Sequence, residues 1–260
     1  MPEVSNHGVK ISYEVSGQGR PLVLLHGWVM DHSWWSQTGY VDDLQRDHRV
    51  INVDWRGHGE SDKPLESAAY RGEAITSDVL AVADAEGVER FALWGISYGG
   101  LFAWRTAFSA PDRVAALIAS GNWDPTPGTY EDWVPLDEGW REALRRGGTP
   151  ALLELMQEEE EWPFPAWAKA MWLRADPQAL LASTSSELFA EGPWTLEGFP
   201  VPALLITGEI EDKDGEAPTI ARMLPNGESL VLPGLGHLAA CAASGATIPH
   251  VRAFLDRWFV

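Results

Sequence analysis

Residues 95–100 read Gly95-Ile96-Ser97-Tyr98-Gly99-Gly100, and this stretch decides the fold. It directly follows the apolar run 91–94 and directly precedes the helix-like stretch 101–108. The order strand, sharp turn and helix presents a serine at the tip of the turn, where its hydroxyl can act as a nucleophile. Glycine has no Cβ atom, so the flanking glycines permit a strained turn and close packing of the helix behind Ser97. The motif therefore predicts a nucleophilic serine rather than an ordinary glycine-rich turn.

Short apolar segments alternate with helical patterns over the first 120 residues. The segments of strand length are 9–15, 21–25, 49–53, 91–94 and 114–120, and a helical pattern covers 74–86. This alternation is typical of βαβ crossovers and predicts an α/β protein with a mostly parallel central sheet flanked by helices. The first two segments resemble a hairpin with Gly17 and Gly19 in its turn, which would add an antiparallel edge.

The alternation stops between about residues 122 and 200. It resumes with strand-like segments at 201–207 and 229–232 and a final helix from about 247 to 259. Prolines at 163 and 165 interrupt the intervening segment, so at least two helical pieces are expected there. We therefore predict a core domain of residues 1–121 and 201–260 with a helical cap inserted at 122–200.

Half of the fourteen tryptophans fall in the predicted cap. Large aromatic side chains can attach a small insertion to its main domain, which is the simpler explanation for any one of them. Pockets are also lined mainly by apolar and aromatic groups, so several of the seven are expected to face a cavity beneath the cap and to favour a partly apolar or aromatic substrate. The seven are Trp123, Trp133, Trp140, Trp162, Trp167, Trp172 and Trp194.

Composition limits the classes of partner. With 19 basic and 38 acidic residues the formal charge is −19, which disfavours binding to nucleic acid or to an anionic membrane surface. Cys241 is the single cysteine, so an internal disulfide and a thiolate metal cluster are excluded. The polar first ten residues and the lack of any apolar run near 18 residues predict neither a signal peptide nor a membrane span. A cytoplasmic protein acting on a small molecule, as a monomer or homodimer, is expected.

The histidines do not indicate a metal site. They are scattered at 7, 26, 32, 48, 58, 237 and 250, and none pairs with another at the four-residue helical spacing of zinc sites. A phosphate-binding loop with a lysine is also missing from the sequence. The sequence therefore predicts no metal and no cofactor.

A nucleophilic serine needs a base and an acid that orients the base. His237 follows the predicted strand 229–232 on a glycine-rich loop, and an imidazole titrates near the working pH. The acid is expected after the strand 201–207, where Glu211 and Asp212 are both candidates. Asp212 is preferred because its shorter side chain would hold an imidazole more rigidly. Asp124, beyond the strand 114–120, is a third and weaker candidate.

The backbone also offers donors for a developing oxyanion. The amide of Tyr98 lies at the predicted N-terminus of the helix after Ser97, where unpaired donors and the helix dipole favour negative charge. The amide of Trp28 follows the predicted strand 21–25, with Gly27 permitting the turn. These two amides are the predicted oxyanion hole. His26 is interpreted as structural.

Four segments together resemble the α/β-hydrolase fold superfamily, and the resemblance covers nearly the whole chain. They are His26-Gly27-Trp28, the stretch Asp54 to Asp62, the glycine-flanked Ser97 motif, known in the family as the nucleophile elbow, and Gly234-Leu235-Gly236-His237. The resemblance implies hydrolysis of an ester, lactone or related carbonyl compound without a cofactor. In the family the second segment is a structural loop, so Asp54, Arg56 and His58 receive no catalytic role.

Several activities share this set of residues. A serine rather than an aspartate at position 97 argues against haloalkane dehalogenase and epoxide hydrolase chemistry, which uses a carboxylate nucleophile in similar proteins. A carboxylesterase or lactonase is the first hypothesis. A carbon-carbon bond hydrolase, a cofactor-free perhydrolase and a small-ligand receptor without turnover are the alternatives, because a motif alone does not separate them.

Overall fold

An eight-stranded sheet forms the centre of the molecule. The computed structural model describes residues 1–121, 130–160, 162–184, 194–212 and 214–259, with the backbone alone at 130–137. The strands are β1 (Glu3–Asn6), β2 (Val9–Ser16), β3 (Arg20–Leu25), β4 (His48–Asp54), β5 (Phe91–Ile96), β6 (Val114–Ser120), β7 (Ala203–Gly208) and β8 (Gly227–Leu232). Their order across the sheet is β1-β2-β4-β3-β5-β6-β7-β8. Only the β1/β2 and β2/β4 pairs are antiparallel, which confirms the predicted mostly parallel sheet.

The predicted hairpin between the second and third strands is wrong. Strand β2 pairs with β1 and β4, and β3 pairs with β4 and β5, so β4 lies between them. Gly17 and Gly19 instead carry the chain over β4, and a Cβ atom on Gly17 would lie 2.3 Å from the carbonyl oxygen of His48. The antiparallel edge exists, but the short strand β1 and not β3 completes it.

Helices cover the sheet. They are α1 (Ser33–Gln37), α2 (Tyr40–Leu44), α3 (Gly72–Ala85), α4 (Tyr98–Ser109), α5 (Tyr130–Glu159), α6 (Ala166–Arg174), α7 (Pro177–Ser183), α8 (Glu216–Met223), α9 (His237–Ala242) and α10 (Ser244–Trp258). Helix α5 is kinked into two helical parts at Gly147 and Gly148, whose backbone is not helical. Every residue of β5, β6 and β7 is buried, as expected for parallel strands covered on both faces. None of the described helices combines the length and apolar character needed to cross a membrane.

Helices α5, α6 and α7 lie between β6 and β7 in the chain, and we call them the cap helices. Arg174 at the end of α6 pairs with Asp31 of the core, with its Nε and Nη2 atoms 2.9 and 2.5 Å from Oδ2. The ring of the core residue Trp34 packs against Trp162 and Trp167, at centroid distances of 5.4 and 5.5 Å. These tryptophans attach the cap to the core, which was the simpler expectation.

The remaining tryptophans of the predicted cap have different packing partners. Trp172 packs edge-on against Phe164 within the cap segment, and Trp194 packs against Phe108 of α4. Trp140 stacks on Trp28, next to the predicted oxyanion hole. The side chains of Trp123 and Trp133 lie outside the described residues.

The loop after β4 is held by buried polar contacts. Asp54 accepts hydrogen bonds from the amide and Nδ1 of His32, at 2.7 and 2.8 Å, and from the amide of Glu60. Burial raises the pKa of Asp54, but these bonds and the nearby histidines outweigh burial and lower it to about 2. Arg56 forms a two-pronged ion pair with Asp78 at 2.7 and 2.8 Å. These contacts bind the loop to the sheet and to α3.

Candidate active site

Ser97 occupies the sharp turn between β5 and α4. Its φ and ψ angles of 53° and −121° are uncommon for a residue with a side chain, and such strain is often found at functional sites. The turn is tight because α4 returns directly onto the strand: a Cβ atom on Gly95 would lie 1.9 Å from the carbonyl oxygen of Gly99. Ser97 is partly exposed while both of its neighbours are buried. The local sequence thus presents one hydroxyl at the carboxyl edge of the sheet.

His237 and the backbone of Ser97 both lie close to Gly121, which directly follows β6. A Cβ atom on Gly121 would lie 2.8 Å from Cε1 of His237 and 3.3 Å from the backbone nitrogen of Ser97. The imidazole is 18% exposed, so it is sheltered but reachable. Among the described residues, no hydrogen bond joins the Ser97 hydroxyl to the His237 imidazole. Hydrogen bonds between catalytic groups are often long without substrate and shorten when the substrate binds.

Glu211 is the acid that contacts the imidazole. Nδ1 of His237 lies 2.6 Å from Oε1 of Glu211, and the carboxylate is 15% exposed. A carboxylate in this position fixes the Nδ1–H tautomer and leaves Nε2 available as a base. The sequence offered Glu211 and Asp212 as the acid that orients His237 and favoured Asp212. In the structure Glu211 makes this contact.

The carboxylate of Asp212 is bonded to the start of helix α8 instead of to the imidazole. Its Oδ1 atom accepts hydrogen bonds from the amides of Glu216 and Ala217, at 2.6 and 3.2 Å, at the start of α8. A short carboxylate is well suited to capping a helix, which is why the shorter side chain turns toward α8 and not toward His237. The helix beginning four residues later was the sequence signal that could have separated the two carboxylates. Asp124 lies outside the described residues.

The two loops that carry Glu211 and His237 are bonded to each other. The carboxylate of Glu209 accepts a 2.8 Å hydrogen bond from the amide of Gly234. The amides of Glu209 and Ile210 donate to the carbonyl oxygens of Leu232 and Leu235, both at 3.0 Å. Glu209 was not singled out from the sequence, yet it holds the acid and histidine loops together.

His237 lies near a second carboxylate, from the end of the cap helix α5. Oε2 of Glu160 accepts a long hydrogen bond, 3.5 Å, from the amide of Leu238. Burial alone would lower the pKa of His237, but the charge and hydrogen bond of Glu211, with a smaller contribution from Glu160, raise it to about 9. Burial raises the pKa of Glu160 itself. Sequence reasoning missed Glu160, because only the folded cap brings it to this edge.

The two residues predicted to form the oxyanion hole both adjoin Ser97. Tyr98 is the first residue of α4, with Ser97 as its N-cap. Trp28 follows Gly27, and a Cβ atom on Gly27 would lie 3.3 Å from Cβ of Ser97. The rings of Trp28 and Tyr98 stack at a centroid distance of 6.0 Å. The structure therefore brings together Trp28, Ser97, Tyr98, Glu211 and His237.

Potential metal ligands and the single cysteine are the other candidate groups in the part of the chain that the structure describes. Within the described part of the chain, no three His, Cys, Asp or Glu side chains are grouped so as to hold a metal ion. Cys241 is buried one turn along α9 from His237, and burial raises the pKa of its thiol well above the ordinary value. A buried neutral thiol is a poor nucleophile.

The chain belongs to the α/β hydrolase fold family, whose model matches residues 20–239. A pimeloyl-[acyl-carrier protein] methyl ester esterase of Nitrosomonas europaea is 30% identical over 247 residues, which cover 87% of this chain and 92% of the esterase. Mouse epoxide hydrolase 4 is 29% identical over 133 residues, half of this chain but only 36% of that protein. A thermophilic esterase of Thermogutta terrifontis superposes over both full lengths with a TM-score of 0.84 at 24% identity, which shows the shared fold.

Proposed function

We propose that this protein is a serine hydrolase that cleaves an ester or lactone bond of a small, partly apolar or aromatic substrate. Ser97 is the nucleophile, His237 the general base and acid, and Glu211 the carboxylate that orients it. The observation that carries the proposal is that Nδ1–H of His237 can donate to Oε1 of Glu211, 2.6 Å away, while the imidazole and the backbone nitrogen of Ser97 both lie close to Gly121. The amides of Trp28 and Tyr98 form the proposed oxyanion hole.

The proposed reaction has two halves. Oγ of Ser97 attacks the substrate carbonyl carbon while its proton passes to Nε2 of His237. The tetrahedral oxyanion is stabilised by the amides of Trp28 and Tyr98, and its collapse expels the alcohol oxygen, which takes the proton from His237. Water then loses a proton to His237 and attacks the acyl carbon. The second tetrahedral intermediate collapses by breaking the bond between the acyl carbon and Oγ, which takes the proton back from His237, so the carboxylic acid is released and Ser97 is restored. Glu211 keeps its charge and stabilises the imidazolium.

Two features support ester over epoxide chemistry. Position 97 carries a hydroxyl, whereas a carboxylate would be needed to form the alkyl ester of an epoxide mechanism. The esterase of Nitrosomonas europaea matches over almost its full length, while the epoxide hydrolase match covers about a third of that protein. The stacked rings of Tyr98, which follows the serine, Trp28 and Trp140 favour an apolar or aromatic acyl or alcohol group. The proposal places this reaction in the cytoplasm, in a monomer or homodimer that needs no metal or cofactor.

The test combines labelling and turnover. A fluorophosphonate should modify the protein stoichiometrically, with the adduct found on Ser97 by peptide mass spectrometry. In a panel of p-nitrophenyl esters, aryl lactones and a ring-cleavage dienoate, the esters or lactones should be hydrolysed faster than the dienoate. The S97A variant should lose about a millionfold in kcat, because triad members act as one unit. An adduct elsewhere, undiminished turnover by S97A, or turnover of the dienoate alone would overturn the proposal.

A further inference from the structure

The side chain of Trp28 is held by the cap although its backbone belongs to the core. Its indole stacks with the ring of Tyr98, at a centroid distance of 6.0 Å and an angle of 27°, and with the ring of Trp140 on α5, at 5.5 Å and 20°. Its Nε1 atom donates a 3.1 Å hydrogen bond to Oγ of Ser183, the last residue of α7. Trp28 is 7% exposed and Ser183 is completely buried. Two cap helices therefore contact the side chain of a proposed oxyanion residue.

The hydroxyl of Ser183 is oriented to accept this bond. It donates its own hydrogen to the carbonyl oxygen of Leu180, at 3.0 Å, so its lone pairs are left for the indole N–H. A buried indole N–H without an acceptor is unfavourable, so the position of Ser183 matters for the placement of the Trp28 ring.

The two cap helices that contact Trp28 are bonded to each other. The guanidinium of Arg141, next to Trp140 on α5, donates to the carbonyl oxygens of Leu181 and Thr184 at 3.0 and 2.7 Å. Trp140 and Ser183 consequently present one connected surface to the indole.

The backbone at this point needs external support. Val29, directly after Trp28, has a φ angle of 65°, which is a strained value for a β-branched residue. Strained backbone persists only where surrounding contacts determine it, and the cap-held indole supplies such contacts one residue away. The backbone amide of Trp28 lies in this loop, directly before the strained residue.

We infer that Ser183 and Trp140 are positioning residues that set the oxyanion hole from the cap, acting through the indole of Trp28. The inference rests on the proposed function. An oxyanion donor acts on the transition state and not on the bound substrate, so misplacing it lowers kcat and leaves KM nearly unchanged. Complete loss of one oxyanion donor lowers kcat by about 100- to 1,000-fold, and displacement of the donor should lower kcat by less.

The test compares two cap-to-core links. S183A removes the acceptor of the indole bond, whereas R174Q weakens the ion pair of Arg174 with Asp31, which joins cap and core without contacting Trp28. With a p-nitrophenyl ester, S183A should lower kcat about tenfold with KM within about twofold, and should weaken an aryl trifluoromethyl ketone inhibitor by the same factor. R174Q should change kcat less than about twofold. Equal losses in both variants, or a change in KM alone for S183A, would refute the inference.

A double-mutant cycle provides the second measurement. W28F keeps the backbone amide and an aromatic ring but removes the N–H that bonds Ser183, so it probes the same bond from the core side if S183A does not fold. The single variants should each lower kcat, and W28F/S183A should be no slower than the slower of them. Multiplicative losses would show that no coupling passes through this bond. Labelling of wild-type Ser97 by fluorophosphonate separates the outcomes, because its failure refutes the proposed function and normal labelling with uncoupled variants refutes only the inference.

Discussion

Nδ1 of His237 lies 2.6 Å from Oε1 of Glu211, across 26 positions of sequence. The contact forms because the loops after β7 and β8 are bonded together, with Glu209 accepting from the amide of Gly234. The neighbouring Asp212 is bonded into the start of α8 at the same time. Two adjacent carboxylates of one short loop therefore have separate roles, since Glu211 contacts the imidazole and Asp212 accepts hydrogen bonds from the start of α8.

The first prediction separates these carboxylates. E211Q should lower kcat by about 10⁴-fold, because an amide at this position favours the wrong imidazole tautomer and does not stabilise imidazolium. D212N should keep kcat within a few-fold, since asparagine also caps helices. Steady-state kinetics on both variants, with thermal melting as the folding control, tests this. Comparable inactivation by the two substitutions would remove Glu211 from its proposed role.

The second prediction concerns pH. The charge and hydrogen bond of Glu211 outweigh burial and raise the pKa of His237 to about 9. The base must be neutral to accept the serine proton, so kcat/KM should rise with pH and reach its plateau only above about pH 9. Activity measured from about pH 6 to 10.5 on an ester that is stable to hydroxide checks this. A plateau of kcat/KM that is already reached near neutral pH would contradict the raised pKa of His237.

The third prediction concerns the cap carboxylate. The charge of Glu160 also raises the pKa of His237, so E160Q should move the inflection of the pH profile downward, by less than E211Q does. Glu158 is exposed at the end of α5, two residues before Glu160, and E158Q is the matched charge control that should leave the profile in place. If E158Q and E160Q shift the profile equally, the effect comes from net charge and not from the site.

The fourth prediction concerns the space at Gly121. In G121A the new methyl group would meet Cε1 of His237 at 2.8 Å, on a backbone with a φ of 96°. Gly87 has a φ of 67°, and a methyl group there would meet no atom within 4 Å, so G87A carries backbone strain alone. Both should lose about 1 kcal/mol or more of stability, and only G121A should also lose kcat, by about tenfold or more. Urea unfolding and kinetics on the pair measure the two effects separately, and unchanged kcat in folded G121A would count against the geometry.

The fifth prediction concerns the scaffold. R56M leaves the carboxylate of Asp78 without its buried partner and should lower the free energy of unfolding by about 3 to 5 kcal/mol. Burial already raises the pKa of Asp78 and the loss of Arg56 should raise it further, so the destabilisation should be smaller at about pH 5 than at about pH 8. R56M/D78L should recover part of the loss. Urea titrations at both pH values test this, and a larger loss at the lower pH is the contrary result.

Much of the fold follows from patterns between near neighbours. The strand expected at 49–53 is β4 (His48–Asp54), and the helix expected at 74–86 is α3 (Gly72–Ala85). Strand β1 was missed because its four residues alternate between exposed and half-buried, which leaves little apolar signal. The false hairpin has the same origin, since two adjacent strand patterns do not show that β4 will come between them.

The sequence by itself determined the serine turn, the histidine loop and the αβ alternation, because apolar periodicity and glycine at tight turns act over a few residues. Only the tertiary structure decided between Glu211 and Asp212, since the choice depends on which loop faces the imidazole and where α8 begins. It also brought Ser183 to Trp28 across 155 positions. Contacts at such separations arise from the packing of the cap on the sheet, which no local pattern records.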